Sequence, residues 1–117
     1  MIVSGIALTL SCRNPLKSYL GEESARRSLQ GVLSDSTARR PLPQLIPDEK
    51  TATAVAEAVL FKIYGEERIK DERPYETFLI DGYWVIRGTI PLGYDGGGFE
   101  IMIDSKDGRV IHLTHYK

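Results

Sequence analysis

The hydrophobic pattern of the chain changes its period at Pro74, and this change constrains the fold more than any other feature. From Asp48 to Gly65 apolar residues recur at helical spacing, whereas after Pro74 apolar and polar residues alternate as they do in strands. Asp81 and Gly82 separate the first two strand-like segments, and this dipeptide favours a type I′ hairpin. The pattern predicts an α+β fold in which one main helix packs on a curved four-stranded antiparallel meander sheet.

The predicted main helix begins after Asp48, whose carboxylate can accept hydrogen bonds from the first helical turn. Gly65 can take the left-handed conformation that ends a helix. The predicted buried face consists of Ala52, Val55, Ala56, Val59, Leu60 and Ile63. Residues 66–73 form a charged run with Ile69 as its one apolar anchor, and such intermixed charges predict a short solvated helix.

The predicted strands span residues 75–80, 83–90, 99–104 and 109–116. In the second strand, alternation separates Trp84, Ile86 and Ile90 from Tyr83, Val85, Arg87 and Thr89. We expect the main helix to cover one face of the sheet, which leaves the other face free for function.

A glycine-rich run from Gly93 to Gly98 joins the second and third predicted strands. It does not match a phosphate-binding loop, because no Lys-Ser/Thr pair follows it and it leads into a strand instead of a helix. Glycines in such a position favour a bend, a bulge or the close approach of two backbone segments.

The sequence shows no pattern typical of catalysis or of a metal site. His112 and His115 lie three apart in one predicted strand, so they point to opposite faces and cannot hold one metal ion. Asp104 and Asp107 lack the ligand spacing of a calcium loop and are predicted to be turn residues. We therefore expect no catalytic residues, no metal, no cofactor and no enzymatic activity.

Several residues are of the types that are enriched in binding hot spots. The candidate contacts with a protein partner are Tyr83, Arg87, Tyr94, Asp95, His115 and Tyr116. Each aromatic residue can equally be one that packs within the sheet. Fifteen basic and sixteen acidic residues give a net charge of −1, so composition gives no reason to expect a nucleic-acid partner.

The first 45 residues differ in character from the rest of the chain. A short apolar run ends directly before Cys12, the only cysteine, and resembles the end of a bacterial lipoprotein signal in which that cysteine is lipidated. The run lacks a basic start, and Thr9 stands where such signals favour Leu, so a buried strand with a buried thiol is the alternative.

Lipidation at Cys12 would make the protein periplasmic and lipid-anchored, and a cytoplasmic location is the alternative. Residues 1–12 are thus a candidate signal remnant, and residues 13–45 predict a tether or a weak helix. A proline-rich stretch then leads into the α+β domain of residues 46–117.

The α+β part of the sequence resembles a known family. The resemblance is carried by Pro47, Ala52, Ala56, Tyr64, Gly65, Pro74, Tyr75, Trp84, Gly88, Pro91, Gly93, Gly96, Gly97, Phe99, Asp107, Gly108, His115 and Lys117. Together these residues resemble the immunity proteins of bacterial polymorphic toxin systems, which have a nuclear-transport-factor-like, cystatin-type fold. The resemblance implies a non-enzymatic protein that binds a cognate toxin and blocks it in a stoichiometric complex.

Two other functions are compatible with the same sequence. A cone-shaped sheet can enclose a pocket, which would suit a small-molecule binder or an isomerase-like enzyme with a buried Asp or His of strongly shifted pKa. A periplasmic module that inhibits a peptidase would pair the edge of its sheet with that enzyme, and it would need an uncovered terminal strand.

Overall fold

The computed structural model describes residues 16–35, 43–94 and 96–117. The chain divides into two compact units, Met1–Arg40 and Pro41–Lys117. The described part of the first unit contains helix α1, Gly21–Ser34. The second unit contains helices α2, Glu49–Tyr64, and α3, Glu66–Lys70, followed by strands β1, Glu76–Ile80, β2, Tyr83–Arg87, β3, Phe99–Asp104, and β4, Val110–His115.

Helix α1 lies in the region for which the sequence predicts a tether or a weak helix. None of its residues is buried. Arg26 and Glu22, one turn apart, form an ion pair with an N–O distance of 2.6 Å, and pairs at this spacing stabilise a helix by about 0.3–0.5 kcal/mol. The helix is therefore supported by local interactions along its surface. Cys12 lies outside the described residues.

Helix α2 begins and ends where the sequence predicts. The Asp48 side chain accepts a hydrogen bond of 2.7 Å from the Thr51 main-chain N–H, and this bond lowers the pKa of the Asp48 carboxyl. Gly65 ends the helix with φ = 98°, and its N–H donates to the Phe61 carbonyl at 3.0 Å. A residue with a side chain is strained at this φ, so glycine is needed here.

The buried face of α2 agrees with the prediction except at its last turn. Ala52, Ala56 and Leu60 are buried, and Val55 and Val59 pack against the core. Ile63 is 54% exposed, so the prediction that it belongs to the buried face is wrong. Its angular position falls within that face, and its exposure therefore reflects its place in the last turn of the helix.

The strands form one antiparallel sheet in the order β1-β2-β3-β4, which confirms the predicted meander. At the β1–β2 turn, Asp81 has φ = 50° and Gly82 has φ = 83°. Positive φ at both positions is typical of a type I′ turn, so the predicted hairpin is also confirmed. Between β3 and β4, Asp104 and Asp107 each accept a main-chain N–H bond of 2.9 Å, as expected of turn residues.

Strand β2 ends at Arg87, so the prediction that it extends to Ile90 is wrong. Beyond Arg87 the backbone changes its partners. The Thr89 N–H donates to the main-chain carbonyl of Glu72 at 2.9 Å, and the Thr89 hydroxyl donates to the Pro74 carbonyl at the same distance. These bonds draw the chain away from β1 towards the end of α3.

The core lies between α2 and the inner face of the sheet. Its sheet residues are Trp84, Ile86, Phe99, Ile101 and Ile103. Ile69 of α3 is fully buried beside them, which confirms the prediction that it is the apolar anchor of the charged run. Ile46 closes the core, because its N–H donates to the Ser105 carbonyl at 3.0 Å and its carbonyl accepts the Trp84 Nε1–H at 2.9 Å.

The two sides of α2 provide a test of this packing. Leu60→Ala should lower the free energy of unfolding by about 2–5 kcal/mol, because it leaves a cavity at a fully buried position. Ile63→Ala removes the same kind of side chain from an exposed position and should change that free energy by less than about 0.5 kcal/mol. Urea unfolding followed by circular dichroism measures both, and equal losses would contradict the assigned face.

Candidate functional site

The sheet face opposite α2 is the candidate site, and we call it the outer face. The strand register aligns its side chains in rows that cross the strands. The central row is Phe78, Val85, Met102 and His112. The neighbouring rows are Glu76, Arg87, Glu100 and Thr114 on one side, and Ile80, Tyr83 and Asp104 on the other.

Large apolar side chains of the outer face remain accessible to solvent. Phe78, Ile80 and Tyr83 are exposed, and Val85 and Met102 are half-buried. They are adjacent in the sheet and so form one apolar strip. A contiguous apolar strip with a polar border is typical of a surface that binds another protein.

A cluster of hydrogen-bonded side chains borders this strip, and we call it the Glu100 cluster. The buried carboxylate of Glu100 accepts from Arg87 Nε at 2.7 Å and from the Tyr116 hydroxyl at 3.0 Å. His112 Nε2 lies 3.2 Å from the same carboxylate. The Arg87 hydrogen bond lowers the pKa of the Glu100 carboxyl against the opposing effect of burial, with further help from Tyr116.

The pKa shifts show what the Glu100 cluster can do chemically. The hydrogen bond to Glu100 raises the pKa of the Tyr116 hydroxyl, so this group stays protonated and continues to donate. Glu100 is held ionised and its oxygens are already engaged, which is the opposite of a general acid or base poised near neutral pH. Arg87 uses Nε in the cluster while its side chain is 51% exposed, so it can also donate to a partner.

A depression of about 350 Å³ lies at this end of the outer face. Its lining is formed by Arg87, Gly88, Gly98, Phe99, Glu100 and Tyr116. Gly88 and Gly98 contribute to this lining, and Arg87, Glu100 and Tyr116 of the Glu100 cluster form its polar wall.

Beneath the depression lies a buried carboxylate that the sequence did not predict. Glu72 accepts the Phe99 main-chain N–H at 2.8 Å and a hydrogen bond of 2.8 Å from His115 Nε2. A Cβ atom added at Gly88 or Gly98 would overlap with the Glu72 carboxylate. The prediction that the whole charged run is solvated is therefore wrong for Glu72, whereas the predicted close backbone approach at the glycine run is confirmed.

The structure brings some of the candidate contact residues together and separates others. Tyr83 and Arg87 lie on the outer face, and the Tyr116 hydroxyl is linked to Arg87 through Glu100. His115 lies on the inner side, where it bonds to Glu72 and its ring centroid is 5.3 Å from that of Tyr64. His115 thus has a structural role, and the prediction that the two histidines face opposite ways is confirmed.

Tyr94 is strongly exposed in the loop between β2 and β3, and Asp95 lies outside the described residues. Sequence reasoning missed Glu100 and His112 as site residues. Alternation alone places both side chains on the outer face. What it cannot supply is the register that sets Glu100 directly opposite Arg87.

A second depression, of about 500 Å³, is lined by Thr53, Glu57, Arg73, Pro74 and Tyr75. The Tyr75 hydroxyl donates to Glu57 at 2.6 Å, and burial together with this bond raises the pKa of Tyr75 to about 12. Burial of Glu57 favours its neutral form, but the donors Tyr75 and Arg73 outweigh burial and lower the pKa of Glu57. The buried Asp or His expected of an isomerase-like pocket does not line this depression.

Metal binding can be judged only within the described residues. Among residues 16–35, 43–94 and 96–117, no three His, Cys, Asp or Glu side chains are grouped so that they could hold a metal ion.

The architecture defines a class of protein. An open four-stranded antiparallel sheet with helices packed on its inner side is an α+β fold of the nuclear-transport-factor-2 (NTF2)-like type. The chain belongs to the NTF2 fold immunity protein family, whose model matches residues 51–117. The resemblance to NTF2-like immunity proteins seen in the sequence is confirmed, and the family supports an immunity function.

Two proteins of Escherichia coli strain K12 are similar to this chain. The uncharacterized protein YhhH is 34% identical over 74 residues, which cover 62% of this chain and 58% of YhhH. The uncharacterized protein YbbC is 33% identical over 73 residues, which cover 62% of this chain and 60% of YbbC. The matched region thus spans less than two thirds of either relative. No solved structure matches the chain.

The close approach of Gly88 to the Glu72 carboxylate predicts that substitutions at these two positions have coupled effects on stability. Gly88→Ala should lower the free energy of unfolding by about 1–3 kcal/mol, because its Cβ displaces the Glu72 carboxylate. In a Glu72→Ala background the carboxylate oxygens are gone, but the contacts of the new Cβ with Phe99 and with the Cβ of residue 72 remain, so the same substitution should cost less without becoming neutral. Chemical denaturation of the four proteins in this double-mutant cycle measures the coupling. If the two losses of unfolding free energy were additive, Gly88 would not be required by the Glu72 carboxylate.

Proposed function

We propose that this protein binds a cognate bacterial toxin through its outer face and neutralises it in a stoichiometric complex. The observation that carries the proposal is the exposed apolar strip that crosses the sheet beside the Glu100 cluster. Membership of the immunity protein family supports the class of partner.

The apolar strip supplies the affinity in this proposal. Covering Phe78, Val85, Met102 and Tyr83 removes apolar surface from water, which contributes roughly 25 cal/mol per Å². The strip stands on hydrogen-bonded strands, so little backbone freedom is lost on binding. Tyr83 combines a large apolar ring with a hydroxyl group, a combination that is enriched among binding hot spots.

The Glu100 cluster supplies specificity. A charge that is buried without a partner destabilises a complex, but Glu100 already has donors in the free protein. Burial of this end of the outer face therefore leaves no isolated carboxylate. Because the side chain of Arg87 is half exposed, its guanidinium can pair with a carboxylate or a carbonyl of the toxin at the mouth of the depression.

Substitution on the outer face tests the proposal. Tyr83→Lys should abolish protection when the protein is co-expressed with the toxin encoded beside it, and it should weaken the complex by a factor of at least about 30 if Tyr83 is a hot spot. The strand should accept Lys at this position because Tyr83 lies opposite Asp104, whose carboxylate has the opposite charge. Cell growth and co-purification are the measurements.

Ala58→Lys is the matched control, since Ala58 is exposed on α2 and the substitution adds the same charge. It should retain both protection and complex formation. Full protection by Tyr83→Lys, with the toxin still co-purifying, would exclude the outer face as the binding surface.

One observation favours the alternative of a peptidase-inhibitor-like module. That function needs an uncovered terminal strand, and β1 is a terminal strand with exposed apolar side chains. On this alternative, the edge of β1 would pair with a strand of the target enzyme, and the outer face would not contact the target.

We also propose that the protein is exported and held at a membrane by a lipid on Cys12. The support is the apolar run that ends directly before this cysteine. No helix in the described residues is long and apolar enough to cross a membrane. A lipid on the first residue of the mature protein would tether the immunity domain through residues 13–45.

Cys12→Ser tests the anchor by removing the only acceptor thiol. The substitution should shift the protein out of the membrane fraction, because the lipid supplies the attachment. Cell fractionation followed by immunoblotting measures the shift. If both proteins were found in the same soluble fraction, the proposed anchor would be wrong.

A further inference from the structure

Within the part of the chain that the structure describes, the outer edge of β1 has unpaired main-chain groups. Ile80 and Tyr83 flank the two-residue turn, so they exchange main-chain hydrogen bonds. Bonded and non-bonded pairs alternate along an antiparallel ladder, so Phe78 bonds to β2 while Thr77 and Leu79 direct their N–H and C=O groups away from it. Since β1 ends the strand order of the described sheet, these outward groups face no strand there.

The edge of β1 also lacks the features that usually prevent pairing. Edge strands are commonly protected by lysine, proline or a bulge. Residues 76–80 read ETFLI, and the irregularity of the sheet lies between Met102 and Ile103 instead. Phe78, Leu79 and Ile80 are 45%, 48% and 52% exposed. An unprotected apolar edge of this kind favours the addition of another strand.

We propose that two copies of this chain associate by antiparallel pairing of their β1 edges, with the two-fold axis at Phe78. In this register Thr77 lies opposite the partner's Leu79, and Leu79 lies opposite the partner's Thr77. These are the residues with outward main-chain groups, so each pair exchanges both of its N–H···O bonds. The two sheets join into one continuous sheet.

The sequence of β1 fits a second copy of itself. Phe78 meets the partner's Phe78 at a non-hydrogen-bonded position, where Cα atoms are about 4.5 Å apart and aromatic side chains pack well. The only charge of the strand, Glu76, falls opposite the partner's Ile80. It lies about 13 Å along the strand from the partner's Glu76, so the register contains no close like-charge pair. The net charge of −1 adds little repulsion between copies.

Edge pairing does not depend on the proposed toxin complex. Its hydrogen bonds use main-chain groups at the rim of the sheet, whereas the toxin is proposed to cover side chains on the outer face. The Phe78 side chain takes part in both contacts, so edge pairing is tested without toxin. Two five-residue strands bury less than the roughly 1,600 Å² of a standard interface. The dimer is therefore expected to depend on protein concentration.

Disulfide trapping of the purified full chain, without toxin, tests the register. In a Cys12→Ser background, Phe78→Cys should cross-link the two copies under mild oxidation, because its thiols meet at the axis. Ile80→Cys is the matched control, of similar exposure on the same strand. Its thiols would lie about 13 Å apart, beyond disulfide reach. Cross-linking should be at least about ten-fold faster for Phe78→Cys, as expected for groups held at high effective concentration. Equal rates, or no cross-linking of Phe78→Cys, would overturn the proposal.

Thr77→Pro provides a second test that needs no thiol. It removes an N–H that points away from β2, so the domain should keep its unfolding transition while the dimer is lost. Light scattering across a range of concentrations should show the wild type approaching the dimer mass and Thr77→Pro remaining a monomer. A wild type that stays monomeric while Thr77→Pro loses toxin protection would assign the edge to the toxin and overturn self-association.

Discussion

The buried Glu72 carboxylate is the interaction on which the geometry of the domain depends. It follows the end of α3, accepts the N–H of Phe99 at the start of β3, and bonds to His115 at the end of β4. A buried carboxylate without such partners is strongly destabilising, so these three segments must stay together. Because Phe99 precedes Glu100 and His115 precedes Tyr116, the contact on the inner side also fixes the cluster on the outer side.

The two faces of the sheet thus divide stability and recognition between them. The inner face of β2 and β3 is packed against α2 and is closed by Ile46, so the apolar residues of these two strands on that face are committed to the core. The outer face keeps its apolar strip accessible and satisfies its one buried carboxylate internally. A partner can cover such a face without leaving a buried charge unpaired. An unpaired buried charge is the main energetic obstacle to burying polar groups at an interface.

Sequence alone predicted the features that depend on local rules. The cap at Asp48, the turn at Asp81 and Gly82, and the alternation that exposes Tyr83 all follow from short-range patterns. The missed features depend on distant residues. Glu72 and His115 are 43 positions apart, and nothing in a charged run shows that one carboxylate will meet a histidine of the last strand. The role of Gly88 was equally hidden, because it becomes visible only when the carboxylate beside it is placed.

Strand β1 links the two proposed interactions of this domain. The contacts of α2 with the sheet are concentrated on β2 and β3, so β1 depends mainly on its ladder with β2. Its side chains Phe78 and Ile80 belong to the outer face, while its main chain at Thr77 and Leu79 belongs to the edge. A second β1 would supply the strand with the pairing it lacks and would place two outer faces side by side. Pairing with a second copy would order β1 before a toxin binds. The strand would then lose less conformational entropy when the toxin covers its side chains.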